Sequence, residues 1–304
     1  MTASSMLVLG AGELGMAVLR ELVVLAAPHN TRIAVLLRPA SLQSAAAQTL
    51  REQGVEVLAG DLQNDSQSTL AALFSGFATV ICCTGFAAGP GTQTKLARAA
   101  IEGGVQRYIP WQFGVDYDVI GRGSPQDTFD EQLDVRDLLR GQQATQWLII
   151  STGMFTSFLF EPSFGVVDLT QHRMHALGDW DTAVTVTTPQ DIGRLTARIV
   201  FAEPALGNQV VYTAGDTLTY RQLADTVDAV LGITLKRACW SVPTLLAQLA
   251  RTPDDNLQKY RAVFAQGNGV AWDPAVTFNA QQQIAVTSVA QWVRLNLTAP
   301  TTSR

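Results

Sequence analysis

The chain has 304 residues, of which 47% are hydrophobic and 15% are charged. This length allows one large domain or two modest domains, each with a buried core. The formal net charge of −5 offers no basic surface for direct contact with nucleic acid. No apolar run reaches the roughly 20 residues that a membrane span needs. We therefore expect neither nucleic acid nor a membrane as a partner.

The cysteines and the start of the chain indicate the compartment. The chain has three cysteines, Cys82, Cys83 and Cys239, and two of them are adjacent. This odd number favours reduced thiols in a cytoplasmic protein over a disulfide framework. Cys82 and Cys83 are predicted to be small buried strand residues, with a redox role as the alternative. The first residues have no basic segment, so we expect no secretory signal. His172 and His175 have no further metal-type side chains nearby, so we expect no metal site.

A glycine fingerprint stands near the start of the chain: Gly10, Gly12 and Gly15 follow the apolar run 6–9 and precede the helical stretch 16–25. This strand–turn–helix context is the one in which such spacing indicates a dinucleotide site. The glycines permit a sharp turn, backbone approach to a pyrophosphate and close packing of helix on strand. Glu13 and Leu14 lie where free N–H groups at a helix start would face the phosphates. The alternative is a purely structural tight turn.

The first half of the chain alternates continuous apolar runs with helical stretches. The predicted strands are 6–9, 33–37, 55–58, 79–83, 107–109 and 147–150. The predicted helices are 16–25, 42–53, 68–74, 92–102 and 126–140. Because the apolar runs do not alternate with polar residues, the strands are expected to be buried on both faces. The pattern predicts βαβ units and an α/β fold, a Rossmann-type doubly wound parallel sheet.

Local signals set several predicted helix ends. Ser41 is predicted to cap the second helix, and Ser124 followed by Pro125 to open the helix 126–140. Gly103 and Gly104 are predicted to end the helix before them.

The second half is patterned differently. Residues 182–187 alternate polar and apolar side chains, as in a half-exposed strand. A further strand is predicted at 208–214, and a capping box at 219–222 opens a helix to residue 231. Later helical stretches are predicted at 244–251, at 257–264 and around Trp292, with a frayed tail at 299–304. We predict a nucleotide-binding domain at 1–155 and a smaller, interleaved α/β substrate domain at 156–304, with about 208–231 returning to the first sheet.

The end of the second predicted strand indicates which dinucleotide binds. An acid there, about 20 residues past the glycines, would bind the ribose 2′-OH of NAD. This chain instead places Arg38 at the strand end. A guanidinium suits a 2′-phosphate, which an acid would repel. The sequence therefore predicts NADP(H) as the cofactor, and the alternative is a solvated arginine.

The chain resembles the NmrA-like and isoflavone-reductase-like branch of the atypical short-chain dehydrogenases. The most specific segment is 104–116, in which Trp111 and Gln112 stand where serine and glutamate are usual. The other matching segments are the fingerprint at 10–15, Arg38, Gly60 with Asp61, 151–155 and 191–193. The resemblance implies a Rossmann domain, a smaller domain over the substrate and NADPH across the strand ends.

The resemblance also implies roles for individual residues. Gly10, Gly12 and Gly15 would hold pyrophosphate, and Arg38 the 2′-phosphate. Asp61 and Leu62 would flank adenine, while Thr84, Gly85 and Phe86 would lie near the nicotinamide. The implied substrate pocket is lined by Trp111, Gln112, Phe113, Met154, Phe155 and Phe158. Core packing is the alternative role for each aromatic residue of this set.

One residue departs from the family at the expected catalytic position. The family's reductases carry a lysine in a Lys-x-x-Val/Ile-Arg helix, where this chain has Gln132 followed by Val135 and Arg136. A lysine ammonium stabilises and protonates a developing oxyanion, worth about 10²–10⁴-fold in rate. A glutamine amide donates a hydrogen bond but supplies no proton at neutral pH. Gln132 is thus the candidate catalytic donor, with Asp116, Tyr117 and Glu131 as further candidates for the proton.

Two functions follow from this departure. The first is an NADPH-dependent reductase of a small aromatic or carbonyl compound, with unusual acid chemistry around Gln132. The second is a non-catalytic NADP(H)-binding sensor or regulator resembling NmrA, which would have a protein partner. The loss of the lysine favours the second, and the aromatic residues of segments 111–117 and 154–160 favour the first.

Overall fold

The computed structural model describes residues 5–86 and 89–297, and the tail 299–304 lies outside the described residues. The chain alternates between two compact units. Unit 1 contains the residues up to Phe113 together with Asp130–Ile150 and Ile192–Val211, and unit 2 contains Gly114–Phe129, Ser151–Asp191 and the residues from Tyr212 onward. The functional domains 1–155 and 156–304 stay a prediction, because compactness assigns no role to either unit.

The strands, in chain order, are β1 (Ser5–Leu9), β2 (Arg32–Leu37), β3 (Glu56–Ala59), β4 (Thr79–Cys82), β5 (Arg107–Ile109), β6 (Gln146–Ser151), β7 (Met154–Phe155), β8 (Val167–Asp168), β9 (Arg173–Leu177), β10 (Ala183–Thr187), β11 (Gln209–Tyr212), β12 (Asp216–Thr219) and β13 (Lys236–Trp240). The helices are α1 (Glu13–Ala26), α2 (Ala45–Glu52), α3 (Gln67–Phe74), α4 (Thr92–Glu102), α5 (Tyr117–Ile120), α6 (Thr128–Arg140), α7 (Pro189–Val200), α8 (Tyr220–Leu231), α9 (Val242–Leu249), α10 (Asn256–Ala265), α11 (Phe278–Gln281) and α12 (Val289–Leu297).

Unit 1 is built around a sheet in which seven strands of the described chain lie in the order β11-β6-β5-β4-β1-β2-β3. The pairings from β6 to β3 are parallel, so the predicted Rossmann-type α/β fold is confirmed. The strand order reverses between β1 and β4, because β2 lies on the other side of β1. In open α/β sheets this reversal creates a crevice at the carboxyl ends of the strands.

The apolar runs explain why this sheet is central. Leu7, Val8 and Leu9 of β1 have no exposed surface, and neither do Val80, Ile81 and Cys82 of β4. Helix residues such as Leu70, Leu96 and Val135 complete the same core. Strands covered by helices on both faces must be apolar throughout, which is the pattern that predicted them.

In the first half of the chain, three helix starts differ from the prediction by two or more residues. Helix α1 begins at Glu13, directly after the glycine turn. Helix α2 begins at Ala45, and its cap is Ser44 rather than Ser41, because Ser41 belongs to a short 3-10 turn. Helix α6 begins at Thr128, since the hydroxyl of Ser124 donates to the Gln126 carbonyl and closes a separate turn.

Unit 2 contains two small sheets, ordered β12-β10-β7 and β13-β9-β8. The predicted capping box of α8 is confirmed: the Thr219 hydroxyl accepts from the Gln222 N–H, and the Gln222 side chain accepts from the Thr219 N–H. β11 joins the large sheet, whereas β12 pairs with β10. Within the described ranges, no helix has the length and hydropathy to cross a bilayer.

Candidate functional site

The glycine fingerprint covers the turn between β1 and α1 and the first turn of α1, and its three glycines have different surroundings. Gly10 has a φ of +91°, and a Cβ there would collide with the Thr84 hydroxyl. A Cβ on Gly15 would collide with the carbonyl oxygen of Gly10, so this glycine lets the helix lie against the turn. Gly12 is different, since a Cβ there would meet no atom within 4 Å. The fold therefore requires Gly10 and Gly15, and the space in front of Gly12 is open.

The end of β2 brings Arg38 and two serines to the same place. The chain turns through Pro39–Ser41, where the Ser41 N–H donates to the Arg38 carbonyl at 2.8 Å. Ser44 then caps α2, and its hydroxyl accepts from the Ala47 N–H at 3.2 Å. The Arg38 side chain is exposed. One guanidinium, two hydroxyls and a helix start are thus gathered at this strand end.

The loop after β3 is tightly folded around Asp61. Its carboxylate accepts from the N–H groups of Gln63 and Asn64 and from the Asn64 side-chain amide. These hydrogen bonds, first among them the one from the Asn64 side chain, lower the pKa of Asp61, with a small contribution from Arg38. A Cβ on Gly60 would lie 2.8 Å from a Leu36 methyl group, so this glycine lets the loop approach β2.

A cavity of about 490 Å³ connects these three loops with the end of β4. Its described wall contains six of the predicted cofactor residues: Gly10, Gly12, Arg38, Leu62, Thr84 and Gly85. It also contains residues for which no cofactor contact was predicted, namely Ala11, Leu36, Leu37, Ser41, Ser44, Ala46, Gly60, Gln63 and Cys83. Five further predicted residues lie within three positions of a wall residue in the chain, and their contact with a cofactor stays a prediction: Glu13, Leu14, Gly15, Asp61 and Phe86.

The ends of β4 and β5 meet beside this cavity. The Thr84 hydroxyl donates to the Leu9 carbonyl at 3.0 Å and so ties the end of β4 to β1. Trp111, which follows β5, packs directly on Gly85, where a Cβ would lie 2.7 Å from the indole ring. The ring of Phe86 meets Trp111 edge-on, with 4.6 Å between centroids. The segment predicted to lie near the nicotinamide is therefore bordered by an indole.

Gln112 and Gln132 belong to a fully buried polar cluster with Arg136, defined here as the Gln–Gln–Arg cluster. The Arg136 Nε donates to the Gln112 Oε1 at 2.7 Å, and the Gln112 Nε2 donates to the Gln132 carbonyl at 2.9 Å. All three residues are 0% exposed. Among the described residues, neither amide atom of the Gln132 side chain has a hydrogen-bond partner. The cluster fastens α6 to the end of β5 and leaves one buried amide unsatisfied.

The remaining predicted pocket residues are distributed over both units. Phe113 is buried at the end of the first stretch of unit 1. Met154 and Phe155 form β7 in unit 2, and Met154 is buried. Phe158, also in unit 2, stacks on Phe164 with 4.5 Å between ring centroids. A shared pocket for this set stays a prediction.

The candidate proton donors all carry hydrogen bonds or ring contacts. The Glu131 carboxylate accepts from the N–H groups of Gly91 and Thr94 at 3.0 and 3.1 Å. The Asp116 carboxylate accepts from the Tyr212 hydroxyl at 2.6 Å. The ring of Tyr117 meets Phe129 edge-on. Each of these groups therefore has a structural partner in the fold.

The large sheet of unit 1 is doubly wound, and the glycine turn after β1 borders its cavity. These two features are typical of dinucleotide-binding proteins. Residues 2–283 match the model of the NmrA-like family, and the chain belongs to this family. The predicted resemblance is thereby confirmed.

Two relatives illustrate the range of similarity. The chain is 47% identical over 299 residues to an NmrA-like family domain-containing oxidoreductase of Gibberella moniliformis, covering 96% of this chain and 98% of that protein. It is 23% identical over 231 residues to an isoflavone reductase of Glycine max, covering 73% and 71%.

Solved structures share the fold. The crystal structure of an isoflavone reductase superposes with a TM-score of 0.78 at 21% identity, covering 97% of this chain and 99% of that chain. A binary complex of leucoanthocyanidin reductase with NADPH from Vitis vinifera has a TM-score of 0.78 at 18% identity, covering 95% and 98%.

Proposed function

We propose that the cavity of unit 1 binds NADP(H). The observation that carries this proposal is that a single cavity connects the glycine turn, Arg38 and the ends of β3 and β4. The fit is supported by Gly12, where a Cβ would occupy the open space that a phosphate needs. The N-terminus of α1 supplies N–H groups and a partial positive charge at the same point.

The 2′-phosphate is assigned to Arg38, Ser41 and Ser44. A guanidinium binds phosphate through charge-assisted hydrogen bonds, and hydroxyls add neutral donors. Leu62 and Asp61 are assigned to the adenine, and Thr84, Gly85 and Phe86 to the nicotinamide side. When bound in reduced form, this cofactor supplies a hydride. The chain's own residues hold and orient the cofactor.

The proposed activity is the reduction of a small aromatic or carbonyl compound. An oxidoreductase relative at 47% identity over nearly the whole chain supports this activity. The proposed substrate residues are Trp111, Gln112, Phe113, Met154, Phe155 and Phe158. In this proposal Gln132 acts as a hydrogen-bond donor toward the substrate oxygen, and the proton comes from another source because an amide does not ionise at neutral pH.

A non-catalytic NADP(H) sensor is the second candidate, and the state of Gln132 favours it. This residue replaces the family's lysine, and its amide is buried inside the Gln–Gln–Arg cluster. A sensor keeps the cofactor cavity and needs no general acid. Its partner would then be a protein that recognises the cofactor-bound form.

Turnover distinguishes the two candidates. Purified protein is mixed with NADPH and a panel of aromatic aldehydes, enones and quinones, and absorbance at the NADPH band is followed. A reductase consumes NADPH, and Gln132→Ala slows this by about tenfold or more, since one hydrogen-bond donor is lost. Binding of NADPH without turnover on any panel member contradicts the reductase and favours the sensor.

A further inference from the structure

The first turn of α4 contacts two of the loops that form the wall of the unit 1 cavity. The Gln93 Nε2 donates to the carbonyl of Thr84 at 2.8 Å. The Lys95 Nζ donates to the carbonyls of Gln63 and Asp65 at 2.8 and 3.0 Å. Thr84 and Gln63 are both wall residues, one after β4 and the other after β3. One helical turn therefore holds two separate loops of the same cavity.

This turn is itself fixed in place by α6. The carboxylate of Glu131 accepts from the N–H groups of Gly91 and Thr94, which lie at the start of α4. An anionic acceptor at a helix N-terminus is stabilised by the free N–H groups and by the helix dipole. Gln93 is 2% exposed, so its amide is held within the protein. The donors that reach the two loops thus start from an anchored element.

Lys95 suits the loop after β3 for an electrostatic reason. The N–H groups of Gln63 and Asn64 donate to the Asp61 carboxylate, which leaves the loop's carbonyls to find other donors. Two of these carbonyls converge on one ammonium group, which carries three donors and a positive charge. The side chain is half-buried, so water competes less for these hydrogen bonds than on an open surface.

We propose that Lys95 and Gln93 are positioning residues that keep the two loops of the cavity at the separation a dinucleotide needs. Lys95 holds the loop beside the adenine position, and Gln93 holds the loop beside the nicotinamide position. Preorganised loops bind a ligand more tightly because less ordering is required on binding. The proposal rests on NADP(H) as the ligand of this cavity.

Hydrogen exchange of the cofactor-free protein tests the loop contact itself. In Lys95→Met, amides of segment 61–66 are expected to exchange about fivefold faster or more, because the loop loses its two charged hydrogen bonds. Lys95→Arg keeps a donor and is expected to restore much of the protection. Lys236→Met, an exposed position on β13, is the control. Unchanged exchange of 61–66 in Lys95→Met overturns the proposal.

Calorimetric titration with NADPH and with 2′,5′-ADP then tests the consequence for binding. Lys95→Met is expected to weaken both ligands about five- to tenfold, because the loop beside the adenine position loses its two hydrogen bonds to Lys95. A parallel titration with NADH is expected to show the same fold-loss, since Lys95 is not assigned to the 2′-phosphate. Wild-type affinity in Lys95→Met contradicts the positioning role. Failure of the wild-type protein to bind NADPH removes the proposed function instead, and the exchange result separates the two failures.

Discussion

Substituting Gly12 with alanine is expected to weaken cofactor binding with little effect on stability. Substituting Gly15 with alanine is expected to lower the stability of the fold. Gly12 is the N-cap of α1 with φ −72° and ψ −169°, a conformation open to alanine. Alanine at an N-cap costs about 1 kcal/mol, and the reduced entropy of the unfolded chain offsets about 0.4–1 kcal/mol of this. Gly12→Ala is therefore expected to lower the Tm by at most about 3 °C.

The same methyl group would occupy the open space that the pyrophosphate needs. Displacing the phosphate breaks at least one charge-assisted hydrogen bond, worth about 1.5–3 kcal/mol. Gly12→Ala is thus expected to weaken NADPH binding roughly 10- to 150-fold. In Gly15→Ala the methyl group collides with the Gly10 carbonyl, and overpacking of this kind costs about 1–3 kcal/mol of stability.

Differential scanning fluorimetry and calorimetric titration of both variants measure these effects. Gly12→Ala should fold like the wild type and bind poorly, whereas Gly15→Ala should melt several degrees lower. Wild-type NADPH affinity in Gly12→Ala would contradict the placement of the pyrophosphate against Gly12, since it would mean that no phosphate approaches this backbone.

Three further predictions concern the 2′-phosphate, the Gln–Gln–Arg cluster and the cysteines. Arg38→Leu is expected to weaken NADPH at least tenfold and to leave NADH nearly unchanged, because only NADPH carries the 2′-phosphate; equal losses for both in calorimetry would contradict this. Gln132→Lys places a second cation one helical turn from Arg136 in a buried site and should be strongly destabilising, by about 3–5 kcal/mol. The double variant with Gln112→Glu places a carboxylate where the Arg136 Nε already donates. It should recover at least about 1 kcal/mol of the free energy of unfolding in a double-mutant cycle measured by denaturant unfolding. Additive effects of the two substitutions would show that the cluster residues are not coupled. A thiol reagent at pH 8 should modify Cys239 fastest in the native chain and all three cysteines after denaturation, because Cys82 and Cys83 are buried and desolvation raises the pKa of each. Cys83 lies in the cavity wall and Cys82 has no exposed surface, so reaction of Cys82 as fast as that of Cys239 would contradict the packing of β4.

The sequence predicted the large sheet of unit 1 because the strands at its centre, such as β1 and β4, consist mainly of buried apolar residues. Strands 107–109 and 147–150 were found almost at the predicted positions, as β5 and β6. Five strands of unit 2 were missed. The two-residue strands β7 and β8 carry no periodic pattern, and the longer strands β9, β12 and β13 were not predicted either.

The site could be predicted where chemistry follows directly from local sequence. The glycine turn and Arg38 lie at strand ends, so their positions follow once the strands are known. The capping role of Ser44 was missed because the helix was expected to begin before this residue, with Ser41 as its cap. The contacts of Lys95 and the Gln–Gln–Arg cluster were missed because they join residues far apart in the chain. Hydrogen bonds of this kind depend on which helix face meets which loop.

The cavity of unit 1 is proposed to bind a dinucleotide that carries a 2′-phosphate. Calorimetric titration of the purified chain with NADPH and with NADH, at one salt concentration, tests it most directly. We expect saturable binding of NADPH at one site per chain, at least tenfold tighter than binding of NADH. Tighter binding of NADH, or no binding of either nucleotide, would contradict it.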